Sequence, residues 1–251
     1  MITDSGVESS GTGSDSGSKS EFGDGLGLSC ELRLVRLLHL VSPTLPTGAF
    51  TYSQGIEWAV EEGWLRTDAD LEDWVFDQLE QSVSRLDLPL LVRMAVAVDA
   101  EDDAALAHWI DVLLSGRESA ELRAEEGQRG RALTDLLLAW DLPRADDLRP
   151  LLARSQTAGF AFAARRWDIA TRAMVSGYAW AWAENLVLSG VKIVPLGQRQ
   201  GQQMLERLAA RIPSAVDSAL LIADDEIGAS SPALAIASAN HEQQYTRLFR
   251  S

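Results

Sequence analysis

From Glu31 onward, apolar residues return at intervals of three and four, the period at which side chains stack on one face of an α-helix. Leu32, Val35, Leu38 and His39 share such a face, and Ser42-Pro43 ends the helix because proline disfavours the α conformation in the residue before it. A turn-rich connector with Pro43, Pro46 and Gly48 follows. Helical spacing resumes over residues 50–62 through Tyr52, Ile56, Ala59 and Val60, with Gly63 as the C-cap. Thr67, Asp68 and Asp70 offer N-cap oxygens to a helix carrying Leu71, Trp74, Val75, Leu79 and Val83 on one stripe. Further helices are predicted over residues 88–98, 104–114, 117–140, 148–164, 168–194, 197–212 and 214–223, punctuated by Pro89, Pro143, Pro150, Pro195 and Pro213. Alternating strand patterns of convincing length are absent. The expected fold is therefore all-α, a single-domain helical bundle of about ten helices over residues 30–230.

The two ends read differently from the middle. Residues 1–29 are dominated by Gly, Ser, Thr and Asp, without the basic start and apolar core of a secretory signal, and are read as a disordered leader. Residues 231–251 place Tyr245, Leu248 and Phe249 beside Arg247 and Arg250, the residue types that supply binding energy at protein interfaces. Either this segment folds back onto the core, or it is a docking tail that orders on a partner.

Composition narrows the function classes. A chain of 251 residues with 46% hydrophobic content can bury an ample core. The formal charge of −15 argues against a nucleic-acid partner, which requires a basic stripe. The single cysteine, Cys30, excludes an internal disulfide and suits the reducing cytoplasm. No apolar run approaches the roughly 20 residues that span a bilayer, so no membrane association is expected.

Catalytic signatures are missing: there is no Gly-rich phosphate loop, no dinucleotide fingerprint and no nucleophile elbow. His39, His108 and His241 are dispersed, and the fourth position after His241 is Tyr245, which leaves no imidazole pair; metal ligands stay unassigned. Lys192 is the one lysine outside the leader, set among Val191, Ile193 and Val194 just before a break at Pro195. Its charge either snorkels to solvent along the stem, favours the negative end of its helix, or meets a carboxylate or a partner. Gly197 and Gly201 permit close approach of another backbone, within the fold or across a dimer seam. The alternative, a small all-α enzyme, would need Glu184, Lys192 and His241 to converge as acid, base and orienting group.

Three segments together carry a family resemblance: residues 37–57 with His39, Pro43, Pro46, Gly48, Phe50, Tyr52, Gly55 and Glu57; residues 180–198 with Trp182, Glu184, Asn185, Lys192, Pro195 and Gln198; and the tail from Ser231. With the weaker stretch around Arg117 and Gly130, they resemble the UreF family of urease accessory proteins in order and spacing. The resemblance implies a homodimeric adaptor without catalytic residues or a stably bound cofactor. It would bridge the scaffold UreD (also called UreH) and the GTPase UreG on the urease apoprotein, so that nickel, handled by the complex, reaches the enzyme. It assigns scaffold docking to His241, Glu242, Gln244, Tyr245, Arg247, Leu248, Phe249 and Arg250, with the first helix around Leu37 and His39 on the same surface. It assigns a GTPase or dimer face to Lys192, Pro195 and Gln198, with Tyr52 and Glu57. Two departures stand out: residues 156–162 lack the expected proline entry and are followed by Arg165-Arg166-Trp167, and Asn240 stands where a basic residue is expected.

Overall fold

The computed structural model describes residues 28–194, 196–228 and 231–250. Most of the leader and Pro195 therefore lie outside the described residues. Among those described there are eleven α-helices and no β-strand, as the apolar periodicity requires. They are α1 (Cys30–Leu40), α2 (Ile56–Glu61), α3 (Asp68–Gln78), α4 (Leu88–Asp99), α5 (Asp103–Ser115), α6 (Ala120–Ala139), α7 (Arg149–Leu152), α8 (Gln156–Arg166), α9 (Thr171–Ile193), α10 (Gln198–Leu221) and α11 (Pro232–His241).

Local chemistry explains where these helices start. Thr67 and Asp70 form a reciprocal capping box at α3. Asp102, Ser119, Ser155 and Ser231 each accept a backbone N–H in the first turn of α5, α6, α8 and α11. The Ser155 cap replaces the expected proline entry to α8. Ser29 caps α1 and Leu28 packs on the core, so the fold begins two residues inside the expected leader.

Proline punctuation was the least reliable guide. Pro89 does not separate two helices: α3 runs through a π-helical segment, Leu79–Asp87, directly into α4. The Leu88 N–H bonds the Val83 carbonyl five residues back, and the Arg85 carbonyl, deprived of a donor by Pro89, accepts the Gly228 N–H at 3.1 Å. Pro213 likewise lies inside a continuous α10, its ring exposed. The buried stripe of Leu205, Leu208, Ile212, Val216 and Ala219 packs on both sides of it and outweighs the lost hydrogen bond. Residues 148–164, by contrast, break into α7 and α8, and residues 50–62 give only the short α2 after a 3-10 turn at Ala49–Thr51.

The core is laid around α4, α8 and α9. Helix α8 is buried from Gln156 through Ala164, and α4 buries Leu88, Leu90, Leu91, Met94 and Val98, the all-round apolar character of interior helices. Long α9 runs past α10, α4, α2, α3 and α1. Gly201 of α10 settles against Val187 and Val191 of α9, making its small side an intramolecular contact. The stripe on α1 faces the other way: Leu34, Val35 and Leu38 are more than half exposed, while Leu37 and Val41 abut Gly177 on α9.

Candidate functional site

The C-terminal segment does not stand free. Helix α11 lies against α2 and α6. Gly55, the residue before α2, makes this approach possible: its φ is +81°, and a Cβ there would meet the Ala237 Cβ at 2.9 Å and the Ser238 N at 3.2 Å. Ser238 and Ser119 share a buried hydroxyl hydrogen bond of 2.6 Å.

His241, at 0% exposure, is the centre of the site. Its Nδ1 is 2.7 Å from Glu121 Oε2 on α6, and its Nε2 is 3.3 Å from Glu57 Oε2 on α2. Each ring nitrogen therefore faces a glutamate oxygen. Glu242 then accepts the Ala120 N–H at 2.7 Å, adding a carboxylate to the first turn of α6, where the helix dipole favours one. Gln244 bonds Glu61.

Beyond this point the chain doubles back over α2. Glu57 accepts the backbone N–H groups of Leu248 at 2.6 Å and Phe249 at 2.8 Å. Arg247 bonds Glu121 at 2.7 Å; the Arg250 N–H bonds the Thr51 carbonyl at 2.8 Å, and its guanidinium reaches Gln128 at 3.0 Å. Phe249 is buried at 6% exposure, and Lys192 Nζ lies 5.8 Å from the ring centroids of both Phe249 and Phe50. Tyr245 is fully exposed and Leu248 is 71% exposed.

The structure thus brings two sets of candidates together and leaves others apart. Lys192 adjoins the tail through Phe249, and Glu57 holds the tail's backbone, so the residues assigned to two separate faces form one continuous region. Gln198 is exposed at the start of α10. Tyr52 is interior, at 3% exposure, donating to Gln128 at 2.7 Å; burial and the nearby Glu125 carboxylate push its phenol up. His241 and Phe249 are interior too, so in this conformation they anchor the tail rather than present it. His39 is misplaced for the expected shared surface. It contacts Trp140 at the far end of α6, while the tail binds Glu121, 19 residues away and so about 28 Å along the helix. The enzyme alternative loses its geometry: His241 is engaged by two glutamates, and Glu184 stands eight residues, about 12 Å, from Lys192 along α9. Asn240 turns its amide onto the Ile236 carbonyl. Among the described residues, no group of three or more His, Cys, Asp or Glu has metal-binding geometry, and no helix is long and apolar enough to cross a membrane.

A second polar constellation was only faintly legible. Arg117, reaching in from just before α6, pairs with Asp87 at the end of the π segment and with Glu126 at 3.2 Å. Glu126 also accepts from Ser155 Oγ at 2.7 Å, Thr157 N at 2.9 Å and Thr157 Oγ1 at 3.0 Å. Burial opposes the charge on Arg117, but Asp87 and Glu126 outweigh it and hold the guanidinium well above its usual range. Burial raises the Asp87 carboxyl despite Arg117. In Glu126 burial is overcome by Arg117 and the Thr157 and Ser155 donors, which bring the carboxyl down. The Tyr178 phenol, 2.8 Å from Thr157 Oγ1, is raised by burial and by the same carboxylates. This network pins the π segment, α6, α8 and α9 to one another. Neighbouring Glu125 binds Arg129 at 2.8 Å and Gln54 at 3.1 Å. Glu121, Thr51 and Gln128 were missed as tail partners, because no local pattern marks residues that meet across some 120 to 200 positions.

The family pattern of UreF matches residues 65–209. A urease accessory protein UreF of Pseudomonas putida (strain W619) is 48% identical over 224 residues, covering 89% of this chain and all of that protein. The UreF of Alcanivorax borkumensis is 48% identical over 222 residues, covering 86% of this chain and 97% of its own, and that of Escherichia coli O157:H7 is 44% identical over 217 residues with the same two coverages.

Proposed function

The chain belongs to the UreF family of urease accessory proteins, and on that premise we propose that it works as a non-catalytic adaptor in urease maturation. In this reading a homodimer of the chain bridges a UreD-type scaffold and the UreG GTPase on the urease apoprotein. Nickel is cargo of the assembled complex and is not held by a resident site in this chain.

The observation that carries the proposal is the tail. It offers an exposed Tyr245 and Leu248 beside Arg247 and Arg250, side chains that earn little stability within the fold and are suited to docking. Lys192 and Phe50, on the same region, supply a cation and a 59% exposed ring for a second partner. The assignment is therefore scaffold to the outer face of the tail, through Tyr245, Arg247, Leu248 and Arg250, and GTPase to the Lys192 and Gln198 end of α9 and α10.

The test is size-exclusion chromatography with light scattering on the protein alone, then with UreD-type and UreG-type partners, GTP and nickel. The expected result is a dimer that grows stepwise, scaffold first. The Tyr245→Ala/Leu248→Ala double variant, which alters only exposed side chains, should lose at least tenfold in scaffold affinity with an unchanged circular dichroism spectrum. Unchanged affinity would remove the tail from the interface, and a monomer indifferent to both partners would overturn the adaptor reading.

A further inference from the structure

Helix α4 is interior along most of its length, but one row of it comes to the surface. Val92 is half-buried, Val96 is 61% exposed and Ala100, the C-cap, is exposed; they stand four residues apart and so lie one above another. The first turns of α5 present a second such row, Ala105 and Trp109, both only partly buried. The two rows line a groove of about 390 Å3, which also touches buried Ala97. Single apolar side chains scattered over a surface are normal, whereas a contiguous apolar depression of this size has the dimensions of a recognition site.

The charge around this groove has one sign. Arg93 is the one cation in its lining, and it is used up within the fold: its Nε donates to Asp224 at 2.8 Å and its Nη2 to the Ile222 carbonyl at 2.6 Å. Asp102, also in the lining, accepts the Ala105 N–H at 2.9 Å and has no ion pair among the described residues. Its chain neighbours Glu101 and Asp103 share a single guanidinium, that of Arg144. Asp225 and Glu226 follow Asp224, exposed and without a cation among the described residues. The groove shares no residue with the tail region or with the Lys192 and Gln198 end of α9 and α10.

We propose that the groove between α4 and α5 docks a short amphipathic helix of a partner polypeptide, with aliphatic side chains entering between Val96 and Trp109 and flanking lysines or arginines meeting Asp102 and Asp224. The match is geometric as well as electrostatic. Val92 to Ala100 spans eight residues, about 12 Å, so a partner helix of two turns with apolar side chains four residues apart follows the row. A second copy meeting this face about a two-fold axis would set the aspartates against one another, and nucleic acid or an anionic membrane would be repelled in the same way. The proposal is independent of which partners engage the tail and Lys192.

Fluorescence anisotropy on the full-length protein tests the groove. The probe is a labelled, alanine-based helical peptide with two leucines four positions apart and two arginines at each end. The wild type should bind it, and Val96→Arg should weaken binding at least tenfold with an unchanged circular dichroism spectrum. Val35→Arg makes the same charge change on the exposed face of α1 and should leave the affinity unaltered. Replacing the probe's leucines by alanine, or its arginines by glutamine, should each weaken binding at least tenfold. No binding to the wild type would overturn the proposal. So would equal losses in Val96→Arg and Val35→Arg, which would reduce the effect to the general attraction of an acidic protein for a basic peptide. A glutamine probe bound as tightly as the arginine probe would make the groove a charge-blind apolar cleft, and self-association abolished by Val96→Arg in light scattering would make its occupant a second copy; either result refutes the basic partner. Should Val96→Arg lose helicity, Ala100→Arg on the same row decides.

Discussion

At the scale of single residues, burial decides what a charge is worth. Arg117 neutralises two buried carboxylates, so truncating it leaves both uncompensated. Arg117→Met should cost about 3–5 kcal/mol at pH 7, measured by urea denaturation. The pH dependence has a definite sign. Without the guanidinium, the burial that already raises Asp87 is left less opposed and Glu126 loses the charge that most lowers it, so the folded state holds protons more readily than in the wild type, and the stability this contributes is lost as pH rises above the unfolded carboxylate values of about 3.9 and 4.3. The penalty should therefore shrink as pH is lowered from 7 towards 4.5; a constant penalty would mean that the carboxylates are not the reason for it. In the wild type the two oppose each other: raised Asp87 favours the acid side, whereas lowered Glu126 contributes stability that is lost on acidification. Gly55 is a residue-scale constraint of another kind. Gly55→Ala adds left-handed strain and a clash with the α11 backbone, so a loss above about 1–2 kcal/mol is expected, together with increased hydrogen exchange in α11.

At the scale of elements, the apolar period located the helices, and hydrogen-bond supply decided whether a proline ended them. Pro89 is tolerated because Gly228 donates to the orphaned Arg85 carbonyl, and Pro213 because it lies on the exposed side of an otherwise well-packed helix. Pro213→Ala should accordingly stabilise the protein by about 1–3 kcal/mol, since it restores a helical N–H in an exposed position; a loss of stability would show that α10 relies on the proline's geometry. The cap of α3 was legible because it is local, as Thr67 with Asp70 shows. The outward turn of the α1 stripe was not legible, because periodicity defines a face but not what covers it.

At the scale of the whole molecule, α6 and α9 set distances that no segment carries by itself. The exposed α1 face and the tail lie at opposite ends of these helices, so stability effects of Leu38→Ala and Tyr245→Ala should add to within about 0.5 kcal/mol in the double variant; a larger coupling would mean the two surfaces communicate. The sequence by itself determined the helical class, the capping box that starts α3, the absence of a charge pattern for nucleic acid, and the family, since each rests on residue types at fixed short separations. The tertiary structure decided that Glu57 belongs with the tail, that His241 and Phe249 are interior, that His39 is remote from both, and that Arg117 closes a buried network. Those outcomes depend on which carboxylates and backbone donors packing brings within hydrogen-bonding distance, and partners that meet only through the fold leave no periodic trace in one sequence.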